Sequence, residues 1–139
     1  MISFEDKISI AELVARFTQC SDYGDWEGLA ALYIPDAVTE MEGIAIRYEG
    51  VAQQVEHAKE SDRQAEGKNR HYNFNLTVTE EGGQVFADYA FMNVNAGPVP
   101  MAAKIVVTGR MRDTVVQTEA GWKIARRFVR FDQNVQLNF

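Results

Sequence analysis

The sequence predicts one α+β domain spanning residues 1–139: helices first, then a strongly bent sheet that wraps the longest helix and leaves a pocket. Three observations carry this. Ile8, Ala11, Leu13, Val14 and Phe17 recur at helical spacing, forming a stripe about one face wide. From Arg70 onward the period switches to two, with Tyr72, Phe74, Leu76 and Val78 alternating with His71, Asn73, Asn75 and Thr77. The two textures are not interleaved, which is an α+β order and not an alternating βαβ one. A chain of 139 residues has room for one core, and 46% hydrophobic content with 8 Phe and 5 Tyr is ample to fill it.

The elements follow in order. Ser3 with Glu5 and Asp6 reads as a helix start, and Gly24 offers the stop after Tyr23. Asp25 is a cap for a short second helix carrying Trp26, Leu29, Ala30, Leu32 and Tyr33, which Pro35 ends. Ala37 to Met41 reads as a short strand. Val51 to Ala65 predicts a third helix, mostly polar and therefore a surface element or a lid. Four long antiparallel strands then start at Arg70, Val85, Lys104 and Trp122. Glu81-Gly82-Gly83-Gln84 turns the first hairpin, and Glu119-Ala120-Gly121 turns the last. Gly97-Pro98-Val99-Pro100 breaks the chain between the middle two.

A net charge of -6 argues against a general affinity for nucleic acid or anionic membrane. The single cysteine, Cys20, cannot form an internal disulfide, and it reads as a small packed hydrophobe near a helix end. No signal-like start and no apolar run of spanning length is present, so a cytoplasmic protein is expected.

Phosphate-binding glycine loops, HExxH, CxxC pairs and GxSxG are absent. The two histidines, His57 and His71, fall in different elements, and no short spacing suggests a metal site. Cofactor-free chemistry is the enzymatic option that remains. His71 is the best candidate base, since it opens a strand where a side chain can point into a cavity mouth, and imidazole moves protons near neutral pH. It needs a carboxylate to fix its tautomer, and Asp22 near the end of the first helix is the chosen partner. The plain alternative is a solvated histidine on the polar side of a strand, with Asp22 serving helix-end chemistry. His57, on a polar helix, reads as surface decoration. Tyr23, Tyr48, Tyr72 and Tyr89 are candidates to orient a carbonyl or hydroxyl, or else core and rim aromatics. Asn75, Asn93 and Asn95, unusual on otherwise apolar strands, either line a pocket as hydrogen-bond donors or lie exposed, and Asn75, which shares a strand face with His71, is assigned to the pocket. Arg126 and Arg127 face opposite sides of a strand, so at most one serves a given pocket. Ion pairing with Glu40, Glu42 or Asp88 is the preferred reading for most arginines.

Taken together, Ile10-Ala11-Glu12-Leu13, Asp22-Tyr23-Gly24-Asp25-Trp26 and Leu32-Tyr33-Ile34-Pro35-Asp36-Ala37 resemble the opening of a SnoaL-like domain. This is a branch of the nuclear transport factor 2-like superfamily. Tyr48-Glu49-Gly50, Arg70-His71 with Asn75, and Gly121-Trp122-Lys123-Ile124 leading to Arg127 extend the match over nearly the whole chain. The resemblance implies a cone-shaped α+β barrel with a pocket inside the curved sheet. It also implies a group that ranges from polyketide cyclases, steroid isomerases, epoxide hydrolases and dehydratases to non-catalytic adaptors, assembling as dimers or trimers. Two branches, scytalone dehydratase and hexachlorocyclohexane dehydrochlorinase, are similar in carrying an Asp after the first helix and a His opening the strand after the third. Those positions here are Asp22 and His71.

The departures are equally specific. Tyr89 stands where the dehydratase has a second histidine, and Phe17 where the dehydrochlorinase has a lysine. The dehydrochlorinase's arginine near its last turn has no clear counterpart, and the epoxide hydrolase pattern of two Asp and an Arg is not evident.

The expectation is therefore a lyase or isomerase without cofactor or metal, acting on a small, largely apolar cyclic or aromatic molecule. His71, Asp22 and Tyr89 would be catalytic, and Tyr23, Tyr48, Asn75, Phe91 and Arg127 would touch the ligand. The rival is a ligand-binding or assembly subunit of the same fold, and a homo-oligomer is expected under either.

Overall fold

Helix α1 (Phe4–Tyr23) starts with a reciprocal cap, in which Ser3 Oγ accepts from the Asp6 amide at 3.0 Å and the Asp6 carboxylate accepts from the Ser3 amide at 3.1 Å. The other oxygen of Asp6 accepts from Trp122 Nε1 at 2.9 Å, which ties the helix start to the last strand of the sheet. The computed structural model describes residues 1–97 and 102–133, so Pro98, Val99 and Pro100, read above as a chain break, lie outside the described residues. The buried stripe of α1 is Ile10, Leu13 and Val14, continued by Ser21 and Asp22, while Ile8 stays about half exposed. At Gly24 the chain turns left-handed (φ 76°), a conformation that costs a side chain with a Cβ, and the helix stops.

Asp25 caps α2 (Trp26–Ala30) by accepting from the Gly28 amide at 2.8 Å. This helix is shorter than expected. Tyr33 already belongs to strand β1 (Tyr33–Met41), and Pro35 sits inside that strand. A strand not foreseen, β2 (Ile44–Glu49), pairs back on β1 before α3 (Val51–Gln64) begins. Strands β3 (Asn69–Glu81), β4 (Gln84–Asn95), β5 (Lys104–Thr118) and β6 (Gly121–Phe131) complete the sheet. The β3–β4 turn places both Gly82 (φ 58°) and Gly83 (φ 79°) in the left-handed region, the twist that suits a two-residue hairpin.

The order across the sheet is β2-β1-β6-β5-β4-β3, antiparallel throughout except for the parallel pair β1–β6. Three helices thus pack on a mixed, open six-stranded sheet. Its inner face meets α1 over a core that includes Leu29, Ala37, Ala87, Tyr89, Phe91, Val115, Ile124 and Val129. Register shifts on β1–β6, β3–β4, β4–β5 and β5–β6 break the flat ladder. One of them changes a reading made from the sequence. On β3 the shift between Phe74 and Thr77, with Asn75 at φ 56°, reverses the alternation. Tyr72 and Phe74 therefore stay exposed, whereas Leu76 and Val78 beyond the bulge pack on the core. Among the described residues, no helix is long and apolar enough to cross a membrane.

Candidate active site

Asp22 sits in the last turn of α1 and His71 is the third residue of β3, and the packing of α1 on β3 brings them together. His71 Nδ1 lies 2.5 Å from Asp22 Oδ1, and the His71 backbone amide donates to Asp22 Oδ2 at 2.6 Å. Both carboxylate oxygens are therefore taken up by one residue, which fixes the imidazole in position as well as in tautomer. With Nδ1–H donating to the carboxylate, Nε2 carries the lone pair. Asn93, directly opposite on β4, has its amide nitrogen 3.4 Å from that Nε2. The Asn93 oxygen is buried with no hydrogen-bond partner among the described residues.

His71 borders a cavity of about 470 Å³, a size suited to a small organic molecule. Phe17 is central to its wall. The rings of Tyr33 and His71 each approach Phe17 edge-on with centroids 6.5 Å away, and the Arg127 guanidinium lies 3.7 Å over its face. Met41, Phe91, Val107 and Val129 add apolar wall. Much of the polar wall comes from α3, whose residues Gln54, His57, Ser61 and Gln64 follow one another at helical spacing, and Ser21, Thr39, Asn93 and Asn95 add to it. Gln54 is buried because its amide is fully used: it accepts from Thr39 Oγ1 at 2.7 Å and donates to the carbonyls of Ala37 and Tyr48 at 3.2 Å.

Arg127 is only 2% exposed and is held by Asp113, fully buried on β5, through two bonds of 2.8 Å. Burial alone would weaken its charge, but the Asp113 carboxylate beside it holds the guanidinium firmly protonated. Tyr89 closes this network, donating to Asp113 at 2.8 Å and accepting from Arg127 at 3.1 Å. Burial pushes the Tyr89 phenol well above its usual range.

The structure brings His71, Asp22, Phe91 and Arg127 to one place and separates the other expected residues from it. Tyr89 is engaged with Asp113 and Arg127 and does not line the cavity. Tyr23 faces outward, 72% exposed beneath the Arg70 guanidinium, because one step along a helix turns a side chain well away from Asp22. Tyr48 is not in the wall, although it stacks on His57 with centroids 4.2 Å apart. Asn75, turned by the bulge, borders a groove on the outer sheet face with Thr77, Asp88 and Arg110. His57 is not surface decoration: it is partly buried in the cavity wall, where burial and then the proximity of His71 lower its pKa. Three more arginines of the last two strands are ion-paired as anticipated, Arg126 with Glu40, Arg130 with Glu42 and Arg112 with Asp88.

Phe17, Tyr33 and Asp113 were not singled out as site residues. For Asp113 a signal existed, namely a carboxylate in phase with Met111 and Val115 on a strand whose inner face is otherwise apolar. Among the described residues, no group of three or more His, Cys, Asp or Glu is arranged to hold a metal ion.

Three helices packed on an open, mixed six-stranded sheet is the α+β fold of the nuclear transport factor 2-like, cystatin-like proteins. A protein of that description from Novosphingobium aromaticivorans is 26% identical, with a TM-score of 0.82 over 94% of this chain and 84% of its own. Aln2 from a Streptomyces species is 22% identical, with a TM-score of 0.84 over 95% of this chain and 94% of that one. Rv3472 of Mycobacterium tuberculosis, described as of unknown function, is 24% identical, with a TM-score of 0.81 over 95% of this chain and 75% of that one. The chain belongs to the SnoaL-like domain family, whose pattern it matches over residues 3–128. No curated protein matches it.

Proposed function

We propose that this chain is a cofactor-independent lyase or isomerase that removes a proton from a small, largely apolar cyclic or aromatic molecule. The observation that carries the reading is the 2.5 Å contact of His71 Nδ1 with Asp22 on a ring that borders the cavity. Asp22 holds the Nδ1 proton in place, so Nε2 presents its lone pair to the cavity and takes a proton from carbon. The imidazolium that results is stabilised by the carboxylate already bonded to it. The Asn93 amide, at 3.4 Å, is a long and displaceable contact on Nε2. For an elimination, the C–H pair forms the double bond, a hydroxyl departs, and His71 returns the proton to it as water. For an isomerisation, the proton returns to a different carbon.

Tyr89, expected to polarise the substrate's oxygen, is committed to Asp113 and Arg127, and its role becomes that of positioning Arg127.

A positioned base contributes about 10²- to 10⁴-fold, so the substrate must already be activated, as a proton next to a carbonyl is. The test is exchange of the α-protons of cyclic ketones in D2O, followed by proton NMR, together with dehydration of cyclic β-hydroxy ketones read by ultraviolet absorbance. Wild type should accelerate one of the two, and His71→Ala should lose that acceleration by about 10²-fold or more. Equal rates in wild type and His71→Ala would sink the mechanism and leave a ligand carrier.

A further inference from the structure

Tyr33 borders the cavity, yet only 6% of it is exposed. Its ring is held edge-on to Phe17, and its backbone is locked between β1 and β6 by pairing with Ile124. A buried tyrosine ordinarily finds a hydrogen-bond partner for its hydroxyl, because the desolvated O–H otherwise costs more than a phenylalanine would. Tyr89 obeys that rule twice over, through Asp113 and Arg127. The Tyr33 hydroxyl makes no hydrogen bond to any described residue, and it is not among the polar atoms sealed away from contact. The space left to it is the cavity.

We propose that Tyr33 holds the oxygen of the bound molecule: its phenol donates to a carbonyl oxygen of the ligand and so selects carbonyl compounds over hydrocarbons of the same shape. This rests on the reading of the cavity as the substrate site. Burial, partly offset by Arg127, raises the phenol to about 12, so it remains an O–H donor throughout the neutral range. Arg127 is already neutralised by Asp113, which suits an uncharged carbonyl better than a carboxylate brought close to the same buried Asp. Tyr33 and His71 both border Phe17, so a ring lying against Phe17 meets a base on one side and a donor on another. As His71 draws a proton from carbon, charge moves onto the carbonyl oxygen and the bond from Tyr33 strengthens.

The experiment uses the full chain with two probes of nearly equal shape, 1-tetralone and tetralin, titrated by calorimetry. Wild type should prefer 1-tetralone by about tenfold, the value of one well-placed hydrogen bond. Tyr33→Phe, which deletes a single oxygen, should lose that preference while binding tetralin as before, and His71→Ala should keep it. The infrared carbonyl stretch of bound 1-tetralone should shift to lower frequency in wild type and His71→Ala, and return in Tyr33→Phe. A wild type without preference, or a preference and band shift that survive in Tyr33→Phe, overturns the assignment. Because His71→Ala is read for binding alone, loss of proton abstraction and loss of the Tyr33 contact register separately.

Discussion

Asp113 and Arg127 are a buried ion pair on neighbouring strands, joined by two hydrogen bonds. Breaking such a pair from one side leaves a charge in the core with nothing to offset it. Asp113→Asn should lower stability by about 3–5 kcal/mol, read as a fall in the urea midpoint, whereas a loss under about 1 kcal/mol would mean that water reaches Arg127. His57 yields a pH prediction. Burial, then the proximity of His71, depresses its folded pKa below the 6.5 of the free side chain. The unfolded chain therefore binds the extra proton first, so stability drops as pH falls below about 6.5. His57→Gln should flatten that decline between about pH 7 and 5, and identical slopes in the two proteins would assign the effect elsewhere. His71 and Asp22 were legible in the sequence because a chain with two histidines offers few bases, and only one opens a strand. Arg127 was assigned to the ligand alongside the resemblance, and strand alternation by itself does not give its side. Ile124 is fully buried, so strict alternation would put Arg126 inside, but a register shift between Thr114 and Val115 reverses it.

Bulges also decide what the elements present. Asn75 holds φ 56° in the middle of β3, where a side chain with a branched Cβ is strained by about 1–2 kcal/mol. Asn75→Val should lose about that much in thermal or denaturant unfolding, while Asn75→Gly should be neutral or slightly stabilising. Equal stability of the two variants would show that the bulge is not what fixes the register. Period-two patterning located β3 within one residue of its start yet missed the bulge, because one extra residue leaves composition unchanged and only reverses facing. Strand β2 escaped notice for another reason. It is six residues at a sheet edge, with Arg47 and Glu49 alternating with Ile46 and Tyr48, a pattern too short to separate from a loop. Helix α3 was visible as a helix and was read as a surface element or a lid. One side of it, Gln54, His57, Ser61 and Gln64, borders the cavity, while Gln53, Glu56, Lys59 and Arg63 are exposed.

For the molecule as a whole, the change of period at Arg70 marked where helices end and the long strands begin, and so gave the α+β class. The adjacency of β1 and β6 left no trace, since periodicity reports facing and says nothing of which strands meet. The cavity is a property at this scale, because α1, α3 and five strands of the sheet all contribute to its wall. A ligand held there at about 100 times its Kd stabilises the fold by about 2.7 kcal/mol, enough to raise Tm by several degrees. Ala58→Phe, which adds a ring where α3 lines the space, should fold with a similar Tm and lose the rise that 1-tetralone gives wild type. A rise that persists in Ala58→Phe would move the ligand to another surface.

The parallel pairing of β1 with β6 has a consequence for biosynthesis. Val38 pairs on one side with nearby Glu49, but on its other side only with Arg126, so that edge of β1 stays open until β6 has been made. Helix α1 can form before the sheet does, but the surface that Ile10, Leu13 and Val14 cover is incomplete until β6 joins β1. During that interval a nascent chain of this kind exposes a sticky helix beside an unpaired strand edge, which is what holding chaperones recognise. Assembly of the site is then a late event, because the strand that delivers Arg127 is also the one that closes the gap beside β1.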